Sequence, residues 1–203
     1  MNKVLALAPH PDDIEIGCGG SLAEYARRGV EVHLFVATDG AYGGNADVRR
    51  REQEEAASIL GVKKVHWGGF PDTELNAGSA LIHALEKQVE AIKPTTVLVN
   101  FHEDTHQDHR ALARAAYSAT RYVPNVLAYE TPTSLNFVPH VFMDIHATLS
   151  HKLKALNAHA SQIERTNIQG VNIVEIALAS VHFRGVQAKL SSAEAFVPIR
   201  VRL

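Results

Sequence analysis

Short apolar runs alternate with amphipathic stretches along most of this 203-residue chain. Short apolar runs bounded by turn residues are typical of strands buried on both faces, and apolar residues at helical spacing are typical of the helices between them. Successive strand and helix units join through right-handed crossovers. The alternation therefore predicts an α/β fold of three layers, a Rossmann-like, mainly parallel sheet with helices on both faces.

The predicted elements cover almost the whole chain without an internal repeat, a low-complexity tract or a linker. A single domain over residues 1–203 is therefore expected, because chains of this length commonly form one domain. We expect strands at 4–8, 30–37, 65–67, 95–101, 126–130 and 196–203, and helices at 14–28, 48–60, 79–92, 110–122, 149–163 and 171–186.

Composition narrows the classes of function. The formal net charge is -2, from 20 basic and 22 acidic residues, so no broad field favours binding to nucleic acid or to an anionic membrane. The apolar run at the start is too short to span a membrane, and the one cysteine, Cys18, suits a small buried residue in a reducing compartment. We expect a cytoplasmic protein whose function lies in a local site; its oligomeric state, homo-oligomer included, stays open.

The first polar cluster, His10-Pro11-Asp12-Asp13, comes directly after the first predicted strand. Imidazole and carboxylate groups are suitable zinc ligands, and residues three apart across a proline-containing turn can point to one ion. Of two adjacent aspartates, one can bind metal while the other stays free for proton transfer. Capping of the following helix by Asp12 or Asp13 is an equally common role for aspartate.

The second cluster, His106-Gln107-Asp108-His109, follows the strand predicted at 95–101. The histidine pair can share one site, and Asp108 can orient an imidazole or merely cap a helix that begins at Arg110. In α/β sheets ligands bind outside the carboxyl ends of the strands, so the two clusters are expected to meet there. Three protein ligands with an open position would form a catalytic zinc site rather than a structural one.

These two motifs, HPDD and HQDH, resemble those of the PIG-L/LmbE family of zinc-dependent N-acetylglucosaminide deacetylases, including its bacillithiol-pathway type. Further segments are similar to family segments and follow in family order, so the resemblance covers nearly the whole chain. They are VRRREQEEAASILG, the FPD of GGFPDTEL, EDTHQDH, LNAHASQ and the late AEAF.

The resemblance implies a reaction and a role for each matching residue. The reaction would be hydrolysis of the N-acetyl group of a small amino-sugar substrate, with one zinc ion per chain. The implied zinc ligands are His10, Asp13 and His109; Asp12 would be the general base, His106 would donate a proton or stabilise the oxyanion, Asp108 would tune His106, and Arg49 would contact the substrate.

The chain departs from the family pattern without losing a ligand or the base. Pro9 replaces the usual alanine, Ile14 separates the aspartates from Glu15, and Gln107 stands where proline is usual. Asp104 occupies a position at which some relatives carry a tyrosine thought to stabilise the transition state.

Two other functions compete with deacetylation. An amidase acting on another acylated amine or a thiol conjugate would use the same metal centre. A non-catalytic dinucleotide-binding module would use Gly17, Gly19 and Gly20 after a buried strand, with Asp39 as its acidic residue. In that fingerprint the first glycine follows the strand directly, whereas here HPDDIEI intervenes.

Overall fold

The computed structural model of the chain describes residues 2–166 and 168–202, which form seven strands, six α-helices and one short 3-10 helix, Ala41–Gly43. The ends of the predicted domain and of the predicted last strand, Met1 and Leu203, lie outside these residues. The strands are β1 (Lys3–Ala8), β2 (Glu31–Thr38), β3 (Lys64–Phe70), β4 (Thr96–Asn100), β5 (Asn125–Tyr129), β6 (Val141–Asp144) and β7 (Ala193–Arg200). The helices are α1 (Asp13–Arg27), α2 (Ala46–Ile59), α3 (Ser79–Ile92), α4 (Gln107–Ala119), α5 (Leu149–Ala158) and α6 (Ile173–Ala188).

The strands form one mixed sheet in the order β3-β2-β1-β4-β5-β7-β6. The pairs from β3 to β5 are parallel, and β7 and β6 extend that sheet with antiparallel pairs. From β1 the chain crosses over to β2 and then β3 on one side of the sheet, and from β4 it crosses over to β5 on the other side. The predicted α/β fold is confirmed, and its topological switch point lies between β1 and β4.

Each face of the sheet packs against its own set of helices. Along β1, Leu7 belongs to a core cluster with Leu85 of α3 and Leu112 of α4. Its neighbour Ala6 belongs to the opposite cluster, together with Leu22 of α1. Successive side chains of a strand point to opposite faces, so the continuous apolar run of β1 supplies both cores.

The glycines of α1 serve helix packing. A Cβ atom on Gly17 would lie 2.1 Å from the ring of Tyr129, and one on Gly20 would lie 2.8 Å from Ile145 Cδ1. Both glycines lie inside the helix, after Asp13 has begun it, rather than in a loop at its amino end. Close packing therefore accounts for Gly17 and Gly20, two of the three glycines on which the dinucleotide-binding alternative depends.

Several predicted boundaries differ from the observed ones. α5 ends at Ala158 instead of residue 163, because the chain turns inward at His159, whose carbonyl accepts a hydrogen bond from the Gln162 N–H. β6 was not predicted, since it is a four-residue strand at the sheet edge with half-buried side chains. α4 begins at Gln107, earlier than predicted. None of the described helices has the length and apolar character needed to cross a lipid bilayer.

Candidate active site

The two polar clusters meet at the carboxyl edge of the sheet, outside β1 and β4. This is the switch point, where the diverging crossovers leave a crevice in α/β sheets. A pocket of about 530 Å³ opens there. Six of the seven predicted site residues line it, and the seventh, Asp108, is fully buried behind it; the lining residues are His10, Asp12, Asp13, Arg49, His106 and His109.

Asp13 lies between the two histidines with which it is predicted to share a metal ion. Its Oδ2 atom accepts a hydrogen bond from the His10 backbone N–H at 3.0 Å and lies 3.2 Å from His10 Nδ1. Its Oδ1 atom lies 3.4 Å from His109 Nε2. Tetrahedral ligands placed about 2.1 Å from zinc are about 3.4 Å from one another, so each separation is of the size expected between ligands, although the two involve different oxygens of Asp13. The donor atoms that lie within 4.8 Å of one another belong to His10, His106 and His109 in one group and to His10, Asp72 and Asp108 in another.

The ring nitrogens of His10 and His109 that face away from Asp13 are held by other carboxylates. His10 Nε2 lies 3.1 Å from Asp72 Oδ1 and 3.1 Å from Asp108 Oδ2. His109 Nδ1 lies 3.0 Å from Asp104 Oδ2. A metal-binding histidine usually donates its other N–H to such a group, which fixes the orientation of the ring. These residues therefore fit a divalent metal ion.

The charges of this cluster also favour a bound cation. Burial alone would lower the pKa of His10 and His109, but hydrogen bonds and attraction to the carboxylates raise the pKa of His10 well above its ordinary value and that of His109 to about 9. Burial would raise the pKa of Asp13, yet His109 and His10 hold it well below its ordinary value. The carboxylates thus stabilise positive charge at this point, which a divalent cation can supply.

His106 lies at the edge of the same centre as the N-cap residue of α4. Its Nδ1 accepts a hydrogen bond from the Asp108 N–H at 3.2 Å, so the neutral ring carries its proton on Nε2. One nitrogen of His106 lies within 4.8 Å of a nitrogen of His10 and of His109. Burial lowers the pKa of His106, as do His10 and His109. The ring is therefore a neutral N–H donor beside the metal centre.

Asp108 has a different neighbour from the one that the resemblance implies. Its carboxylate faces His10 Nε2, and only its backbone N–H contacts His106. The first turn of α4 directs the carboxylate toward the loop after β3, where it accepts hydrogen bonds from the Thr73 N–H at 2.8 Å and the Leu75 N–H at 3.2 Å. Asp108 thus orients His10 directly and His106 through the main chain.

Asp12 precedes α1 in a left-handed backbone conformation, with φ 91° and ψ -28°. Such a conformation costs a residue with a side chain about 1–3 kcal/mol and often occurs at functional sites. The Asp12 side chain makes no capping hydrogen bond, so the capping role is not the one observed. Burial raises its pKa to about 6, although Arg49 acts in the opposite direction.

Arg49 holds two loops together at the pocket wall. Its Nη1 donates to the Gly40 carbonyl at 2.7 Å, and its Nη2 donates to the Pro11 carbonyl at 2.7 Å and to Asp12 Oδ2 at 3.3 Å. A Cβ atom on Gly40, whose φ is 67°, would lie 2.0 Å from Arg49 Nη1. The predicted contact of Arg49 with substrate stays a prediction, because both terminal nitrogens already contact protein oxygens.

Two carboxylates that complete the centre, Asp72 and Asp104, are absent from the predicted site. Asp72 follows β3 in the FPD stretch, and Asp104 follows β4 in the EDTHQDH stretch. Asp104 Oδ2 also accepts a hydrogen bond from Thr131 Oγ1 at 2.7 Å. Their positions after parallel strands, within segments similar to the family, were the signal available for both.

Together, the fold and this set of donor groups define a metal-dependent hydrolytic enzyme of the α/β class. The model of the PIG-L family, described as GlcNAc-PI de-N-acetylase, matches residues 5–120, more than half of the chain. The chain belongs to this family.

Individual relatives agree with that assignment. The chain is 37% identical over 167 residues to the uncharacterized deacetylase YaiS of Escherichia coli (strain K12), with 78% of this chain and 90% of that protein covered. It is 32% identical over 188 residues to the diacetylchitobiose deacetylase of Thermococcus kodakarensis, with 80% and 70% covered. Among solved structures, the conserved protein TT1542 from Thermus thermophilus matches with a TM-score of 0.88 at 29% identity, covering 100% of this chain and 97% of that one. The predicted family and deacetylase class are confirmed.

Proposed function

We propose that this enzyme is a zinc-dependent hydrolase that removes the N-acetyl group from an N-acetylglucosamine-type amino sugar or glycoconjugate, giving acetate and the free amine. The observation that carries the proposal is the position of Asp13 between His10 and His109, with Asp12 free beside them. The family description and the diacetylchitobiose deacetylase relative support an amino-sugar substrate.

In this proposal His10, Asp13 and His109 hold the zinc ion. When bound, zinc supplies Lewis acidity that polarises the amide carbonyl and lowers the pKa of water. The outer carboxylates keep the two rings in ligand geometry, so little reorganisation is needed when the ion binds.

Asp12 takes the proton of the attacking water. It is free for this role because its neighbour Asp13 is the ligand. In the metal-free protein burial raises the pKa of Asp12 to about 6, so this carboxylate is more basic than that of an ordinary aspartate and better able to accept a proton in the transition state. Arg49, 3.3 Å from the Asp12 carboxylate, favours the ionised form.

His106 faces the negative charge that develops on the carbonyl oxygen. Its neutral ring carries an Nε2–H group, and a fixed donor of this kind stabilises an oxyanion with little reorganisation. The departing amine must also receive a proton, because an amide anion is a poor leaving group. Asp12, once it has taken the proton of the water, is one candidate donor; His106 is the other in its protonated form, because a neutral imidazole is too weak an acid to release its Nε2 proton.

The remainder of the pocket accommodates the part of the substrate beyond the amide. A volume of about 530 Å³ is within the usual range for small-molecule sites. Gln162 Nε2 donates to the Gly43 carbonyl at 3.2 Å, and Arg165 donates to the same oxygen, so the two sides of the rim are joined. The lining beyond the metal centre comprises Tyr42, Gly43, Asp72, Thr73, Pro132, Thr133, Gln162, Arg165, Thr166, Ile168, Ile173 and Ile176.

The function is tested by metal analysis joined to an acetate assay. We expect about one zinc per chain, acetate release from N-acetylglucosamine or one of its glycosides, loss of activity with a chelator and recovery on adding Zn²⁺. An N-acylated thiol conjugate in the same panel separates the amidase alternative. Zinc-loaded protein that releases no acetate from any member of the amino-sugar panel would contradict the proposal.

Replacement of Arg49 by methionine is expected to move the acidic limb of the pH–kcat/KM profile to higher pH. The base must be ionised, so activity falls as pH drops through the pKa of Asp12, and Arg49 lowers that pKa. Bound zinc lowers the pKa in both proteins alike, so the comparison isolates Arg49. Arg50→Met, at the exposed neighbouring position, is the control. An unchanged limb in Arg49→Met would contradict the prediction.

A further inference from the structure

Gln53 of α2 is a fully buried glutamine whose side chain contacts the main chain of Asp12. Its Oε1 accepts a hydrogen bond from the Asp12 N–H at 3.2 Å, and its Nε2 donates to Glu15 Oε1 at 2.7 Å. The orientation of the amide follows from chemistry: the backbone N–H can only donate, so the Gln53 oxygen faces it and the amide NH2 group faces the Glu15 carboxylate. Both the oxygen and the nitrogen of the Gln53 amide are therefore hydrogen-bonded.

The backbone of Asp12 is the part of the site that most needs such support. Its φ of 91° lies in the left-handed region, which residues with a side chain adopt only where their surroundings impose it. The Asp12 carbonyl accepts a hydrogen bond from the Ile16 N–H at 3.0 Å, and Gln53 holds the N–H on the other side. Rotation at this residue would displace its carboxylate from Arg49.

One face of α2 contacts both the side chain and the main chain of Asp12. Arg49 and Gln53 are four residues apart, so they are neighbours along the helix surface. Arg49 contacts the carboxylate of Asp12 and the carbonyl of Pro11, whereas Gln53 contacts the Asp12 N–H. α2 thus holds the HPDD turn through the side chain of Asp12 and through the main chain of the turn.

Gln53 is itself fixed by buried groups from two other segments. Glu15, which accepts from Gln53, is fully buried, and its Oε2 lies 3.4 Å from Nε2 of the buried His159. The Glu15 carbonyl accepts a hydrogen bond from Lys152 Nζ of α5 at 2.9 Å. These contacts connect the LNAHASQ segment to Asp12, although His159 itself does not line the pocket.

We propose that Gln53 is a positioning residue for the reaction: it holds the Asp12 backbone so that the carboxylate can take the proton, and Glu15 orients the Gln53 amide. This inference rests on the proposed function, in which Asp12 is the base. Because Gln53 acts through Asp12 alone, its contribution to kcat must disappear when Asp12 can no longer accept a proton.

The test is a double-mutant cycle on the zinc-loaded enzyme, with Gln53→Met and Asp12→Asn as the single variants. Gln53→Met keeps the length of the side chain and removes both hydrogen bonds. We expect its kcat to fall about 10- to 100-fold, as for a small misplacement of a catalytic group, with KM and zinc content unchanged. In the Asp12→Asn background the same change is expected to alter kcat less than about twofold, because the two residues act as one unit. Gln187→Met, on the exposed part of α6, is the control.

The outcomes separate the inference from the proposed function. Wild-type kcat in Gln53→Met overturns the inference, and so does an equal loss in both backgrounds, which would indicate a general structural role. Full kcat in Asp12→Asn alone would show that Asp12 is not the base and would overturn the inference, whereas the proposed hydrolase is overturned only if the zinc-loaded parent releases no acetate. If Gln53→Met does not fold, the same cycle is run with Gln53→Asn, which keeps a polar amide but is too short to reach both partners; its loss must likewise vanish in the Asp12→Asn background.

Discussion

Asp12→Asn is expected to lower kcat about 10²- to 10⁴-fold while the zinc content stays at one ion per chain, because the change removes general-base catalysis and leaves the ligands in place. Asparagine has nearly the same shape and still offers an oxygen to Arg49, which lies 3.3 Å from the Asp12 carboxylate. Turnover of the zinc-loaded protein and metal analysis are measured on the same preparation. Asp47→Asn, at an exposed position in the first turn of α2, is the matched control.

The loss in Asp12→Asn can be separated from unfolding. Burial raises the pKa of Asp12 to about 6, so the folded state disfavours its carboxylate relative to the unfolded chain. At pH 7 the ionised group therefore lowers stability, and asparagine removes that cost. The metal-free variant is expected to melt at a higher temperature than the metal-free parent. Wild-type kcat in Asp12→Asn would show that Asp12 is not the base.

His109→Ala is expected to abolish zinc binding and with it about 10³-fold or more of the activity, since Lewis acidity of the ion supplies several kcal/mol of transition-state stabilisation. The His109 ring links Asp13 on one side and Asp104 on the other, at 3.4 and 3.0 Å. Removing it opens the ligand set and takes a partner away from each of these two buried carboxylates. Zinc titration by calorimetry measures the loss of affinity directly.

Comparing the zinc affinity of three variants tests the assignment of His109 as a ligand more stringently. Asp104→Asn leaves the His109 ligand atom in place and disturbs only its orientation, so zinc affinity is expected to fall about 10- to 100-fold, less than in His109→Ala. His83→Ala, on the exposed surface of α3, is expected to bind zinc as the parent does. Stoichiometric zinc in His109→Ala, or a larger loss in Asp104→Asn than in His109→Ala, would mean that the ion is held by other residues.

Local pattern was sufficient for the central elements of the fold. The β-branched run of β4 and the apolar run of β1 are long and continuous, because both strands are buried on both faces. β6 was not predicted, since an edge strand of four residues, three half-buried and one exposed, has no such pattern. The last predicted turns of α5 were wrong because contacts of His159 and Gln162 with distant residues outweigh helical spacing.

In the candidate site, too, some residues could be predicted and others could not. The residues alone predicted that two His/Asp clusters meet at the carboxyl edge of the sheet, because each cluster follows a buried strand, and the resemblance to the family implied His10, Asp13 and His109 as the ligands among them. Asp72 could not be assigned to His10, nor Gln53 to Asp12, because each pair is distant in sequence and only the folded chain brings it together. Glutamine also carries no chemistry that would single it out among the polar residues of a helix.

The class of sheet, the edge at which chemistry occurs and the residue types available there follow from the amino-acid sequence, because these depend on periodicity and on the order of strands and helices. The pairing of each carboxylate with its imidazole follows from the folded chain instead: Asp108 pairs with His10, and Asp104 with His109. Side-chain pairing depends on the direction in which each loop leaves its strand, and that direction is set by packing against the rest of the molecule.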